Sequence, residues 1–229
     1  MRLEQALFIV FRYRITILLN SFSTTLHGRT RLLALVALAI AIALLSSAAA
    51  RMPYFPGDVA LAKSIQSLIP MRVPLAQWIT ATALAPWCFV LLALSVLTAW
   101  WISGWRAALV AVAVFFGLWL FGIWLSPLVA QPRPSPALIH VFGHPQGFAF
   151  PSIFGLLYAA TFGYIALLAL VQLRATLAVA IAVVSLLILL IGACARIVLG
   201  AHWPSDLWIA FLIGLFWIEL LLPASGGET

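Results

Sequence analysis

Residues 195–206 read Ala195-Arg196-Ile197-Val198-Leu199-Gly200-Ala201-His202-Trp203-Pro204-Ser205-Asp206 and join two long apolar runs. An arginine, a histidine and an aspartate share this one stretch in a chain where only 7% of residues are charged. Ionisable groups at membrane depth are costly, so their default explanation is a site. Pro204 is suited to open a helix, because the N–H it lacks would have no partner there. Asp206 then falls in the first turn, where the helix dipole favours a carboxylate. His202 stands just before that helix, close enough for one ring nitrogen to donate to Asp206 while the other faces a substrate. Arg196 closes the preceding run and offers a planar cationic fork matched to phosphoryl oxygens. An oriented imidazole beside a phosphate-binding guanidinium is apparatus for attack on phosphorus.

What flanks this stretch sets the fold class. With 66% hydrophobic residues and a mean hydropathy of +1.19, a soluble globular domain is excluded and an all-α, polytopic membrane helical bundle remains. A crossing takes about 20 apolar residues, and the runs predict six transmembrane helices. They cover Leu32–Ala50, Pro74–Trp100, Ala107–Pro127, Pro151–Leu173, a run ending near Arg196, and Pro204–Leu222. Pro86 predicts a kink inside the second span. Trp100, Trp101 and Trp105 surround an expected tight turn at Ser103-Gly104 and read as interfacial anchors. The chain divides into an amphipathic or interfacial segment over 1–31, the membrane domain over 32–222 and a disordered tail over 223–229. Between the first two spans, Asp58–Leu68 carries apolar Val59, Leu61, Ile65 and Leu68 at helical spacing. It reads as a short surface helix with Asp58 as N-cap, serving as a connector. Cys88 and Cys194 lie in apolar runs, read as packing residues, and offer no metal spacing.

The net charge of +7 comes from positive residues that border apolar runs. They read as topology signals and contacts for anionic lipid head groups, with no nucleic-acid partner. With the amino terminus inside, Arg2, Arg12, Arg14, Arg29, Arg31, Arg106 and Arg174 fall on the inner side. Arg51, Lys63, Arg72, Arg133 and Arg196 fall on the outer side. This bias predicts a bacterial cytoplasmic-membrane protein with both termini inside and the site at the outer end of the bundle.

Two upstream stretches fit the same site: Gln131-Pro132-Arg133-Pro134 after one apolar run, and Phe150-Pro151-Ser152 opening the next. In this order the three stretches resemble the type 2 phosphatidic acid phosphatase and haloperoxidase superfamily, in its membrane lipid phosphatase branch. That family's signature has a Lys, six residues and Arg-Pro, then Pro-Ser-Gly-His, then Ser-Arg, five residues, His, three residues and Asp. The third part is matched here except for Ala195 in place of Ser. Ser126 stands at the Lys position, Ile153 at the Gly position and Phe154 at the position of the general-acid His. The resemblance spans roughly residues 50–222 and implies a phosphohistidine mechanism. His202 would be the nucleophile, Asp206 its orienter, and Arg133 and Arg196 the phosphate clamp. Ser152 and the N–H groups opening the fourth span would complete the anion cradle. No cofactor and no metal are expected.

Losing the acid removes about two to four orders of magnitude where an alkoxide must leave, and far less where the leaving group is a phosphate monoester. The expected activity is therefore hydrolysis of a lipid diphosphate of the prenyl type. The alternative is a catalytically impaired relative that binds lipid phosphates or regulates a membrane partner. His140 and His144, in the polar loop before the fourth span, are candidate surrogate acids. The lipid itself, the final phosphoryl acceptor and the oligomeric state stay open.

Overall fold

The structure is a computed structural model that describes residues 28–69 and 71–222. The expected interfacial helix near the amino terminus and the tail 223–229 lie outside the described residues. The described elements are all helical: α1 (Gly28–Ala49), α2 (Asp58–Leu68), α3 (Val73–Ala81), α4 (Trp87–Val129), α5 (Ile153–Tyr158), α6 (Tyr164–Gln172), α7 (Ala175–Val198) and α8 (Pro204–Leu221). A π-helical turn, Ala159–Gly163, joins α5 to α6 into one continuous rod. Helices α1, α4, α7 and α8 and the continuous rod Ile153–Gln172, five in all, are long and apolar enough to cross a membrane, and the protein is an integral membrane protein.

α4 is two arms, so the five long apolar units supply six apolar segments, the number expected. Ser103 and Gly104 leave helical geometry, with Gly104 at φ 79, a conformation that glycine adopts without steric cost. Phe89 and Trp119 sit with ring centroids 5.7 Å apart. In an unbroken helix of that length they would be about 45 Å apart, so the arms fold back on each other as a hairpin. The tight turn expected at Ser103-Gly104 is therefore found.

The second span departs from expectation. Instead of one kinked helix from Pro74 to Trp100, the chain makes α3, turns over 82–86, and begins the first arm of α4 at Trp87. Proline at 86 lacks the N–H an uninterrupted helix needs and pushes the residue before it out of helical geometry. The arm 87–102 is about 24 Å long at 1.5 Å per residue, short of the ~30 Å hydrocarbon core. Asp58 is a second correction. Gly57, at φ 92, occupies the cap position and Asp58 is the first helical residue. Its carboxylate reaches back to the N–H of Phe55 at 2.8 Å.

The rod α5–α6 is the centre of the bundle, with residues 154–161 buried along its full circumference. Close approach depends on small residues. A Cβ on Gly155 would come within 2.9 Å of Ala210, and one on Gly214 would collide with Ala159, so the rod through α5 and the π turn packs nearly backbone to backbone on α8. At the end of the bundle away from residues 195–206, Arg31 donates to the carbonyls of Glu219 and Leu222, tying α1 to the last turn of α8. Those are helix-terminal carbonyls with no intrahelical partner, and an arginine there also suits the dipole. Cys88 and Cys194 are both free thiols.

Candidate active site

The three motif stretches meet around Ala149. Its N–H donates to the carbonyl of Gln131 at 2.8 Å, and its carbonyl lies 2.8 Å from Nδ1 of His202. One residue therefore ties the Arg133 stretch, the Ser152 stretch and the His202 stretch together. Nothing in the sequence singles out an alanine for this, because the backbone does the work.

His202 is 2% exposed and Asp206 is fully buried. A carbonyl oxygen only accepts, so the proton of a neutral imidazole belongs on Nδ1 and the lone pair on Nε2. Burial, reinforced by the positive charges of Arg196 and Arg133, holds the imidazole pKa well below its ordinary value, while the bond to Ala149 pulls the other way. A neutral ring in this tautomer presents its lone pair through Nε2. Asp206 Oδ2 stands 3.5 Å from Nδ1 and accepts the N–H of Trp203 at 2.8 Å. The carboxylate caps its own helix and faces the histidine at longer range, so orientation of the ring is shared with the Ala149 carbonyl.

Arg133 is held by main-chain carbonyls. Nη1 donates to Ala201 at 2.7 Å and Nη2 to Gln146 at 3.1 Å. Nη1 is also 2.8 Å from Nε2 and 3.2 Å from Nδ1 of His202. An atom that near both ring nitrogens lies across the ring, not in line with one lone pair. Burial lowers the Arg133 pKa and the charge of Asp206 opposes the shift. Arg196 reaches toward Thr80 Oγ1 at 3.5 Å, and its guanidinium carbon lies 5.6 Å from the centroid of Phe154. Phe154, at the position of the missing acid, is stacked on Tyr158 with centroids 4.0 Å apart. The Nε–H groups of both arginines are buried without an acceptor. Two unsatisfied guanidinium donors beside an imidazole lone pair form a candidate anion site.

Ser152 is fully buried, and its Oγ accepts the N–H of Gly155 at 3.2 Å as the N-cap of α5. It shapes the helix end at the site and spends its oxygen on the cap. The proposed surrogates lie apart. Exposed His140 borders a surface cleft of about 360 Å³ with Lys63, Gln66 and Ser67, and the carbonyl of exposed His144 accepts from Gln146. No hydrogen bond among the described residues links either imidazole to His202 or to the arginines.

Residues outside the motifs also serve the site. Asp58, 5% exposed, accepts the N–H of Ser205 at 3.0 Å and its hydroxyl at 2.6 Å. Gln66 bonds the carbonyls of Ile197, Val198 and His140. The scarcity of acids, five in the whole chain, was the available signal for Asp58. For Gln66 there was none.

No family profile and no curated protein matches the sequence. A solved structure does share the fold: a transmembrane PAP2 type phosphatidylglycerolphosphate phosphatase from Bacillus subtilis. The similarity has a TM-score of 0.64 over 82% of this chain and 93% of that one, at 19% sequence identity. The resemblance carried by the three motif stretches is therefore matched by a common fold, that of a PAP2-type membrane phosphatase.

Proposed function

We propose that this protein is an integral membrane lipid phosphatase that hydrolyses a lipid diphosphate of the prenyl type at the outer leaflet of a bacterial cytoplasmic membrane. The observation that carries this reading is the neutral His202, with its lone pair on Nε2, beside two guanidinium groups whose Nε–H donors have no acceptor. In the reaction, Arg133 moves off the imidazole ring and joins Arg196 in holding the terminal phosphoryl group. Nε2 attacks phosphorus, the N–P bond forms, and the bridging P–O bond breaks to release a lipid monophosphate. Water then attacks the phosphohistidine, inorganic phosphate departs, and the imidazole returns to its neutral state. Ala149 and Asp206 hold the ring as positive charge develops on it, and the N–H groups opening α5 face the equatorial oxygens. Phe154 offers no proton to the departing oxygen. A leaving phosphate monoester tolerates this, whereas an alkoxide does not.

The test is phosphate release by the purified protein in detergent, with a prenyl diphosphate and phosphatidic acid side by side and His202→Ala as control. Release from the diphosphate that disappears in the variant is the expected result. Monoester turnover equal to or above diphosphate turnover would sink the substrate assignment.

A second reading draws on the same geometry. Arg133 covers Nε2, and Phe154 fills the acid position between Tyr158 and Arg196. A protein that kept lipid-phosphate binding and had lost turnover would look the same. Absence of release from both substrates, with lipid-phosphate binding that Arg196→Gln weakens, would select it.

A further inference from the structure

The link between α7 and α8 carries His202 between two helix ends. The last carbonyls of α7 have spare acceptor capacity, Ile197 taking only the Gly200 N–H at 2.9 Å from the link, and the Ser205 N–H at the start of α8 has no intrahelical acceptor. Both ends are received by the same short helix. At one end of α2, the Asp58 carboxylate takes the Ser205 N–H on Oδ1 and the Ser205 hydroxyl on Oδ2, with the Phe55 N–H also on Oδ2. At the other, Gln66 Nε2 donates one N–H to His140 at 2.8 Å and shares the second between Ile197 at 3.0 Å and Val198 at 3.3 Å, while its Oε1 accepts the His140 N–H at 3.2 Å. The two side chains are about 12 Å apart along the helix axis. They bracket Leu199–Trp203, and the only acidic side chain on α2 faces the positive end of α8.

We propose that α2 is a strap for the nucleophile, and that Asp58 and Gln66 are positioning residues acting through the α7–α8 link. The strap sets the separation of the end of α7, which bears Arg196, from the start of α8, which bears Asp206. His202 is thereby held at its attacking position between them. Gln66 extends the same hold to the loop at His140, whose neighbour Phe142 bonds the carbonyl of Leu199 at 2.9 Å. A substrate phosphate would still meet Arg133 and Arg196 if the strap were cut, since each guanidinium also has an anchor outside the link, Gln146 for Arg133 and Thr80 for Arg196. Binding survives and the attack geometry is lost.

The catalytic part of this inference rests on the phosphatase reading, so the experiment has one readout that needs no turnover. Asp58→Ala, Asp58→Asn and Gln66→Ala are compared with the unaltered protein in detergent, each below its own unfolding temperature. Steady-state phosphate release from the prenyl diphosphate is measured beside hydrogen exchange over residues 199–206 and over the central rod 153–172. Asp58→Ala and Gln66→Ala are expected to lower kcat about 10²-fold with KM within about twofold, because a displacement of about 1 Å has that effect on an oriented attack. Asp58→Asn keeps an acceptor for the Ser205 N–H and falls between Asp58→Ala and the unaltered protein. Exchange over 199–206 accelerates about tenfold or more while 153–172 is unchanged. Unchanged kcat, or a loss of kcat that follows only the folded fraction, overturns the strap. If Asp58→Ala does not fold, Asp58→Asn and Gln66→Ala carry the same comparison. If the unaltered protein releases no phosphate, the phosphatase reading fails. The strap then stands on selective exchange at 199–206 and falls if exchange rises equally in both segments or in neither.

Discussion

Replacing Phe154 with histidine asks whether leaving-group chemistry sets the substrate. The ring is stacked on Tyr158 at 4.0 Å with planes 29° from parallel, and the guanidinium of Arg196 lies over it at 5.6 Å. A Cβ on Gly192 would come within 3.0 Å of the ring edge, so the slot is flat against α7 and takes an aromatic ring with little to spare. An imidazole is the smaller ring and fits. The substitution loses about 1 kcal/mol of apolar burial at ~25 cal/mol per Å², which a folded bundle tolerates. A general acid contributes about 10²–10⁴-fold where the leaving group needs a proton, roughly 3–5 kcal/mol of barrier. Arg196 over the slot disfavours the imidazolium form, which places the gain in Phe154→His near the lower end, about 10²-fold in kcat on phosphatidic acid. The gain should grow as the assay moves from about pH 8 to about pH 6, following protonation of the new imidazole. Turnover of the prenyl diphosphate should change by less than about tenfold, since its leaving group departs without a proton. Phosphate release with both substrates decides the matter. A variant that keeps diphosphate turnover but shows wild-type monoester turnover would refute the reasoning, because the slot would then not adjoin the departing oxygen.

Further outcomes follow from other residues. His202 is held well below its ordinary pKa by burial and by Arg196 and Arg133, so nitrogen NMR of histidine-labelled protein should show it neutral and Nδ1-protonated at about pH 6. A titration midpoint near 6.5 would contradict the site's electrostatics. The sign for stability is that the unfolded chain binds a proton at this residue below about pH 6.5 and the folded chain does not. Stability from this source is complete above that pH and is lost as pH falls toward the lowered folded value. The unfolding temperature should thus drop more steeply on acidification in the unaltered protein than in His202→Ala. Gly200 adopts φ +66, and a Cβ there would run into the carbonyl of His140 and approach Val141 Cα to 2.8 Å. Gly200→Ala should destabilise by about 2–4 kcal/mol through backbone strain and a broken contact, read as a lower unfolding temperature. An unchanged temperature would mean the loop does not rest on the link. The double substitution His140→Ala, His144→Ala tests whether either is a surrogate acid. An unchanged kcat excludes both, and a fall of about 10²-fold or more would assign them the role.

Much of the candidate site was legible because it is made of side chains that a membrane chain rarely carries. Arg196, His202 and Asp206 stand out against a background of leucine, alanine and valine, and Pro204 opens α8 where its lack of an N–H predicts. The Ser103-Gly104 turn was equally readable, since glycine between two apolar runs with flanking tryptophans has few other uses. Less legible were partners contributed by the backbone. The carbonyls of Ala149, Ala201 and Gln146 hold His202 and Arg133, and any residue type supplies a carbonyl. Asp58 looked like a local cap because sequence reasoning assigns a carboxylate to its nearest helix. Its second partner, Ser205, is 147 residues away.

The sequence alone therefore determined the class of structure and the reagents: an all-helical membrane bundle, with an imidazole and two guanidiniums at one end. Hydropathy and charge scarcity are properties of the chain itself, and burial in a bilayer follows from them directly. Only the tertiary structure decided how those reagents are presented. Whether the imidazole lone pair falls on Nε2, where Arg133 rests, and what spans the two ends of the α7–α8 link all depend on hydrogen bonds between residues far apart in sequence. Such bonds have no periodicity and no local spacing, and they exist only once the helices have packed.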